Sequence, residues 1–420
     1  VTRLKIIQVF EHERLSIGAE GFQKKHMEAL VKLNEVNGFQ YFDPVYNGIK
    51  FKHFVGVIQV DGLCIEILPK ADKGGSKDYW RGILIQMLKT CGRLKPESAG
   101  GANVNRQYYN LLEVYFDLYL TELEKLIRLG LVKQYRNQTG QVKAFKGKME
   151  FAGQIRHNLI HHERFFTTHQ IYDKDHLIHQ VLYKALGLIG QFTRGTWLYD
   201  KYKRVALNFP EVKDIAVTAS LLDSISINRK LIPYTYPLEI ARLILLSYSP
   251  DISGGNEKML ALLFNMNQLW EEYVLVMLRK YLQGSSYTVT GQEKRRFLSS
   301  NYLQPDVVIR NKTTQEVFIL DTKWKLPGSA SASMVDLRQM YAYNRFWQAE
   351  KAMLLYPGEP RNFEFKPFLD EAPPHHCKME FATVVKNEKL NEQLGEEIVS
   401  AFGVTSLTYF SEILLKESQR

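Results

Sequence analysis

The stretch from Gln304 to Lys325, QPDVVIRNKTTQEVFILDTKWK, constrains the fold of this chain more than any other. An apolar run, a polar turn of Asn, Lys and Thr, and a second apolar run make a β-hairpin. With the turn centred between Thr313 and Thr314, Asp306 falls directly opposite Asp321, and directly paired side chains share one face of the sheet. Lys323 lies two residues beyond Asp321, so the alternation of strand side chains places it on that face as well. A slip of one residue in register would send the two aspartates to opposite faces. In the expected register, two carboxylates and an ammonium group gather at one end of a short hairpin.

Like charges directly opposite each other destabilise a sheet unless a cation lies between them. Mg²⁺ suits such a site because it takes oxygen ligands, keeps several waters and acidifies one of them, and a second metal can stabilise a leaving oxygen. Lys323 would orient the attacking water or neutralise charge developing on phosphorus. Upstream, the periodicity predicts a helix from about Asn256 to Tyr281. On it Glu271 shares a face with Phe264, Asn267, Val274, Leu275 and Leu278 and points inward, whereas Glu272 neighbours Gln268, Val276 and Arg279 and points to the surface. An inward glutamate needs a partner, and a metal supplies one, which makes Glu271 the third ligand. Downstream, Ser333-Met334-Val335-Asp336 reads as a capping box with Asp in place of Glu, opening a helix to about Ala349. Gln339 and Tyr343, four apart on that helix, can steady the lysine or touch a phosphate.

Around this segment, 420 residues leave room for two or three domains with their own cores. Residues 1–100 read as a β-rich domain. Its strands lie at Phe54–Ile58 and Cys64–Leu68, its turns at Asn47-Gly48 and Asp61-Gly62, one helix is marked by Phe22, Met27, Leu30 and Leu33, and another runs from about Tyr79 to Thr90. Pro96 to Gly101 reads as a linker. Residues 101–250 read as mainly helical, clearest over Leu111–Leu129 and over Asp175–Phe192, with Asp175 as N-cap. Turn signals at Tyr248 to Asp251 and Ser253 to Gly255 close that region, and residues 251–420 carry the hairpin. The expected class is thus α+β and multidomain.

Cys64, Cys91 and Cys377 form no CxxC pair, which excludes a disulfide framework or thiolate zinc site and fits a reducing compartment. No leader pattern and no apolar span of roughly 18 residues occurs, so a cytoplasmic protein without a membrane partner is expected. The formal charge of +10 fits either a nucleic-acid partner or a solvated basic surface. Lys294, Arg295 and Arg296, just before the hairpin, are either a contact to the DNA backbone or a solvated turn. Lys143, Lys146, Lys148 and Arg156 make a second basic patch. Six histidines fall between His157 and His179, but no HExxH is present, and His161-His162-Glu163 lacks the PCxxC of a deaminase.

The pattern PD-x₁₄-DxK, preceded by a helical Glu271 and followed by Gln339 and Tyr343, resembles the PD-(D/E)xK nuclease superfamily. A narrower resemblance is to the McrC family, the cleavage subunits of McrBC modified-cytosine restriction systems. It rests on Met266-Asn267 with Trp270-Glu271, on Ile65-Glu66-Ile67-Leu68-Pro69-Lys70, and on Lys146-Gly147-Lys148 with Arg156-His157-Asn158-Leu159. The resemblance implies a restriction-endonuclease-like domain over residues 251–420 and Mg²⁺-dependent cleavage of double-stranded DNA. Asp306, Asp321 and Glu271 would hold metal, with Lys323, Gln339 and Tyr343 completing the site. It further implies a McrB-like AAA+ GTPase oligomer that binds the GTP and recognises the modified base, docking of residues 1–100 on that ring with stimulation of its GTPase, and self-association for double-strand cutting. The absence of GxxxxGK[ST] agrees that GTP is not bound by this chain. Two other readings stand beside it: a stand-alone PD-(D/E)xK repair or recombination nuclease, and a non-catalytic DNA-binding activator of a partner GTPase.

Overall fold

The computed structural model describes residues 5–70, 76–94, 110–249, 259–325, 332–361 and 363–403. The expected linker at Pro96–Gly101 and the boundary signals from Pro250 to Gly255 lie outside them. The chain is a mixed α/β protein that packs as two compact units. One comprises Val1–Lys5, Ile58–Cys64 and Tyr109–Leu262, the other Ile6–Val57, Ile65–Tyr108 and Leu263–Arg420.

The N-terminal elements are β1 (Lys5–Phe10), α1 (Lys24–Val36), β2 (Phe54–Val60), β3 (Leu63–Leu68) and α2 (Lys77–Thr90). Strands β2 and β3 are buried at every residue, which is why they read as largely apolar runs, broken only by Gln59 and Glu66, rather than an alternation. Asp61 and Gly62 between them have φ of 42° and 74°, the pair of positive values that a two-residue hairpin turn requires and that glycine adopts without cost. The fully buried Glu66 of β3 would be expensive alone. Arg81 of α2 meets it with Nε at 2.7 Å and Nη2 at 2.5 Å, both donating to Oε2, so the charge is paired.

In the helical unit, α3 (Leu111–Leu129) starts on a complete capping box, with Asn110 and Glu113 exchanging hydrogen bonds. It is followed by β4 (Gln134–Val142), α4 (Phe151–Asn158), β5 (Phe165–Asp173), α5 (Leu177–Phe192), α6 (Leu198–Asn208) and α7 (Thr235–Leu246). Strands β4 and β5 pair antiparallel from Gln134 opposite Asp173 to Val142 opposite Phe165, a sheet that helical periodicity does not announce. The start of α5 also differs from expectation. His176 occupies the cap position without a side-chain cap, because the Asp175 carboxylate is taken by Lys213 N at 2.9 Å and Gln180 Nε2 at 2.8 Å.

The C-terminal elements are α8 (Met266–Tyr281), β6 (Tyr287–Gly291), β7 (Val307–Asn311), β8 (Val317–Thr322), α9 (Met334–Trp347), β9 (Lys351–Pro357), β10 (His376–Ala382) and α10 (Leu394–Ala401). The helix expected from about Asn256 begins only at Met266. Met259–Asn265 is a strand, and the Asn265 side chain caps the helix by accepting from Asn267 N and Gln268 N. Six strands form one sheet in the order β6-β7-β8-β9-β10, with Lys366–Pro367 at the far edge. β6, β7 and β8 are antiparallel neighbours, while β8, β9 and β10 run parallel, with α9 as the crossover between β8 and β9. Met340, Tyr343 and Trp347 of α9 pack with Val308, Ile319, Leu354 and Phe381, so the helix that carries Gln339 is pressed onto the sheet that carries Asp321.

Candidate active site

The β7/β8 ladder pairs Val307 with Leu320, Val308 with Ile319 and Ile309 with Phe318. This is the register that the turn at Thr313 and Thr314 predicts, and Asp306 and Asp321 occupy the next position along it. Every residue of β8 is buried, so a slip would exchange the side chains packed on its two faces and the register is strongly specified. The ladder ends one residue short of Asp306, and Thr322 finishes the job that a further strand pair would do. Its N–H donates to Asp306 Oδ2 at 2.6 Å and its hydroxyl to the same oxygen at 2.8 Å.

Asp321 is 2% exposed, and Lys323 Nζ lies 2.6 Å from its Oδ2. Burial, then the neighbouring Asp306 charge, push the Asp321 carboxyl well above the usual range, against the pull of Lys323. Asp306 is likewise raised, by burial first, with the two Thr322 bonds and Lys323 opposing. Burial alone would lower the Lys323 pKa, but Asp321, Asp336 and Asp306 outweigh it and hold the ammonium charged. Gln339 closes the arrangement. Its Oε1 accepts from Lys323 Nζ at 3.2 Å, and its Nε2 donates to Tyr343 OH at 2.7 Å and reaches Asp321 Oδ1 at 3.4 Å. Tyr343 OH in turn donates to the carbonyl of Gln304 at 2.9 Å, which ties α9 to the chain just ahead of Asp306.

Glu271 joins this group electrostatically. Its carboxyl is raised to about 7, by burial first and then by Asp306, with Asp321 adding to the effect. Gln292 Nε2 holds one oxygen at 2.7 Å, and Gln304 Nε2 holds Gln292 at 3.0 Å. The outward Glu272 pairs with Arg93 instead. Among the described residues no three His, Cys, Asp or Glu side chains close on a single point. Asp306 and Asp321 are therefore the central donor pair, and Glu271 stands behind it on its glutamine relay. The donor set is oxygen-rich, and each of the three acids is raised by burial first, with neighbouring carboxylates adding to it at Asp321 and Glu271, so the residues present fit a hard divalent cation.

Four participants carried no strong signal in the sequence. Thr322 is the variable residue of DxK, Gln292 and Gln304 lie outside any motif, and Asp336 was legible only as a capping residue; their roles at the site depend on tertiary approach. Asp336 also departs from a simple capping box. Ser333 caps α9 by accepting from Asp336 N at 3.1 Å, but the Asp336 carboxylate serves Lys325 at 3.1 Å and lies 3.7 Å from Lys323. Of the basic run, Arg295 is committed to structure, donating to Phe346 O at 2.5 Å and stacking 5.0 Å from the Trp347 ring. Lys294 and Arg296 are exposed. The histidine cluster is dispersed: His157 stacks on Phe166, His161 pairs with Glu163, and His179 donates through Nδ1 to Lys174 O and bonds through Nε2 to Tyr234 OH.

A protein-family model, described as the McrBC 5-methylcytosine restriction system component, matches residues 49–357, nearly three quarters of the chain. The chain belongs to this family. Among solved structures, a chain of the half-complex from the tetradecameric assembly of Thermococcus gammatolerans McrB AAA+ hexamers with bound McrC is similar with a TM-score of 0.68 at 19% identity, over 94% of this chain and all of that one. At that identity the likeness is one of fold. A chain of the Thermococcus gammatolerans McrBC complex matches at a TM-score of 0.49 and 22% identity, over 66% of this chain and 88% of that one. No curated protein matches. No helix among the described residues is long and apolar enough to cross a membrane.

Proposed function

We propose that this chain is the DNA-cleaving subunit of a modification-dependent, 5-methylcytosine-type restriction complex, and that its C-terminal sheet is a PD-(D/E)xK nuclease core. One observation carries the reading: Asp306 and Asp321 face each other one position past the same end of the β7/β8 ladder, with Lys323 2.6 Å from Asp321. Membership of the McrBC family and likeness of fold to a chain from an assembly of McrB hexamers with McrC support a McrB-like AAA+ GTPase oligomer as partner. In this reading residues 1–100 dock on that partner and stimulate its GTPase, residues 101–250 form the middle domain, and residues 251–420 cut.

The reaction is hydrolysis of a phosphodiester in double-stranded DNA. Asp306 and Asp321, with Glu271 behind them, would hold Mg²⁺, which would supply positive charge and an acidified water. Lys323, kept charged by its three aspartates, stabilises the charge that grows on the phosphate oxygens in the transition state. Gln339 and Tyr343 keep the ammonium from wandering, and Lys294 and Arg296 are placed to meet the DNA backbone. The test is cleavage of methylated and unmethylated plasmid by the purified chain in Mg²⁺, with and without a McrB-like partner and GTP. Cutting that requires partner, GTP and methylation is the expected result. Cutting without them points to a stand-alone nuclease, and no cutting under any condition contradicts the assignment.

A further inference from the structure

Directly behind the catalytic lysine lies a contact that the hydrolytic chemistry does not call for. Trp324 follows Lys323 and is 6% exposed, and its indole N–H donates to Glu11 Oε1 at 2.7 Å across 313 residues of sequence. Glu11 follows β1. Its own N–H is bonded to Leu68 O at the end of β3, and the same Oε1 accepts from Lys70 N at 3.0 Å. The IEILPK segment thus terminates on the carboxylate that holds Trp324. On its other side Trp324 packs against Trp270, ring centroids 5.5 Å apart, and Trp270 is fully buried one residue before Glu271. Trp324 therefore follows one site residue, Lys323, in the chain and packs on the residue that precedes another, Glu271.

Burying Glu11 for packing alone is a poor bargain. It is 5% exposed, Oε2 has no hydrogen-bond partner, and His12, whose side chain is mostly exposed, lies 3.8 Å from that oxygen. Burial pushes the carboxyl to about 7, against the bonds from Trp324 and Lys70. An apolar residue would be cheaper at such a site unless the acceptor is needed.

We infer that Glu11 is a positioning residue of the hydrolytic site: by fixing the Trp324 indole it sets the Lys323–Asp321 pair and the Glu271 helix relative to each other, and makes β1 and β3 part of the same mechanical piece. The inference rests on the nuclease reading and adds to it a route by which the N-terminal strands reach the chemistry. A displacement of an angstrom at a reacting group costs about 100-fold in rate, so a lost anchor one residue from Lys323 is readily measured.

The test uses the full chain with its AAA+ partner, GTP, Mg²⁺ and methylated plasmid, comparing wild type with Glu11→Gln, Glu11→Ala, Trp324→Phe and the Ala/Phe double variant. Gln keeps the acceptor and rescues, staying within about twofold of wild type, while Glu11→Ala and Trp324→Phe each lose about tenfold or more in kcat at unchanged KM for DNA. Because both remove one interaction, the double variant is no slower than the slower single. Losses that multiply, appear in KM, or merely track a fall in Tm would overturn the inference, as would Glu11→Ala cutting at the wild-type rate. If Glu11→Ala does not fold, Trp324→Phe against Glu11→Gln decides alone. A wild type that cuts nothing overturns the nuclease reading itself, a result distinct from an active wild type with active Glu11→Ala.

Discussion

Two antiparallel ladders in this molecule are built to opposite rules. In β7/β8 nearly every side chain is buried, and the pairing from Val307–Leu320 to Arg310–Val317 is enforced from both faces. In β4/β5 nine residue pairs are equally regular, yet most of β4 is exposed or half-exposed. That ladder is held by cross-strand partners: Thr139 with Thr168 at 2.7 Å, Tyr135 with Tyr172 at a ring separation of 4.7 Å, and Arg136 with Asp173 at 2.9 Å. The first can place two carboxylates to within a residue because a slip is penalised along its whole length. The second is a surface whose geometry is local and whose substitutions should be mild.

The comparison can be broken from either side. The largest expected effect is chemical. Lys323→Ala should lower the single-turnover cleavage rate of the reconstituted complex by about 10²- to 10³-fold with little change in Tm, since a single transition-state contact of this kind is worth that much. Next comes packing. Ile319→Ala, in the middle of the buried ladder and fully buried, should cost about 2–5 kcal/mol in urea unfolding, against less than about 1 kcal/mol for Arg136→Ala, whose ion pair with Asp173 is one-third exposed. Equal losses would show that the two ladders are not different in kind.

A smaller effect concerns pH. Glu11 carries its proton in the fold up to about 7, whereas an ordinary glutamate releases it near 4.5. A raised carboxyl favours the fold below the unfolded value and loses that contribution as pH rises through the folded one. Tm in metal-free buffer should therefore fall from pH 4.5 to 7, and Glu11→Gln should flatten that slope. A slope unchanged in Glu11→Gln would place its origin elsewhere.

The same contrast explains what could be read from the sequence. The hairpin at Gln304–Lys325 was legible because two continuous apolar runs around a polar turn fix the placement of every residue between them, and Gln339 with Tyr343 followed from helical spacing. The β2/β3 hairpin was legible from its apolar runs and the Asp61-Gly62 turn, and the helices at Lys24–Val36 and Leu111–Leu129 from apolar residues at helical spacing. The β4/β5 sheet was not, since QYRNQTGQV has no apolar face and its stability lies in a partner strand 30 residues away. Asn265 hid the true start of α8, because the apolar residues of the preceding strand, Met259 to Phe264, extend the helical pattern backwards. Thr322, Gln292 and Glu11 act through tertiary approach, and no local pattern marks them.

The central claim is that Asp306 and Asp321, with Lys323, form one metal-dependent hydrolytic site. Plasmid cleavage by the complete complex in Mg²⁺, wild type beside Asp321→Ala, tests it most directly. The account predicts cleavage by the wild type and none above background by a folded Asp321→Ala that still binds the partner; cleavage by that variant at the wild-type rate would contradict it.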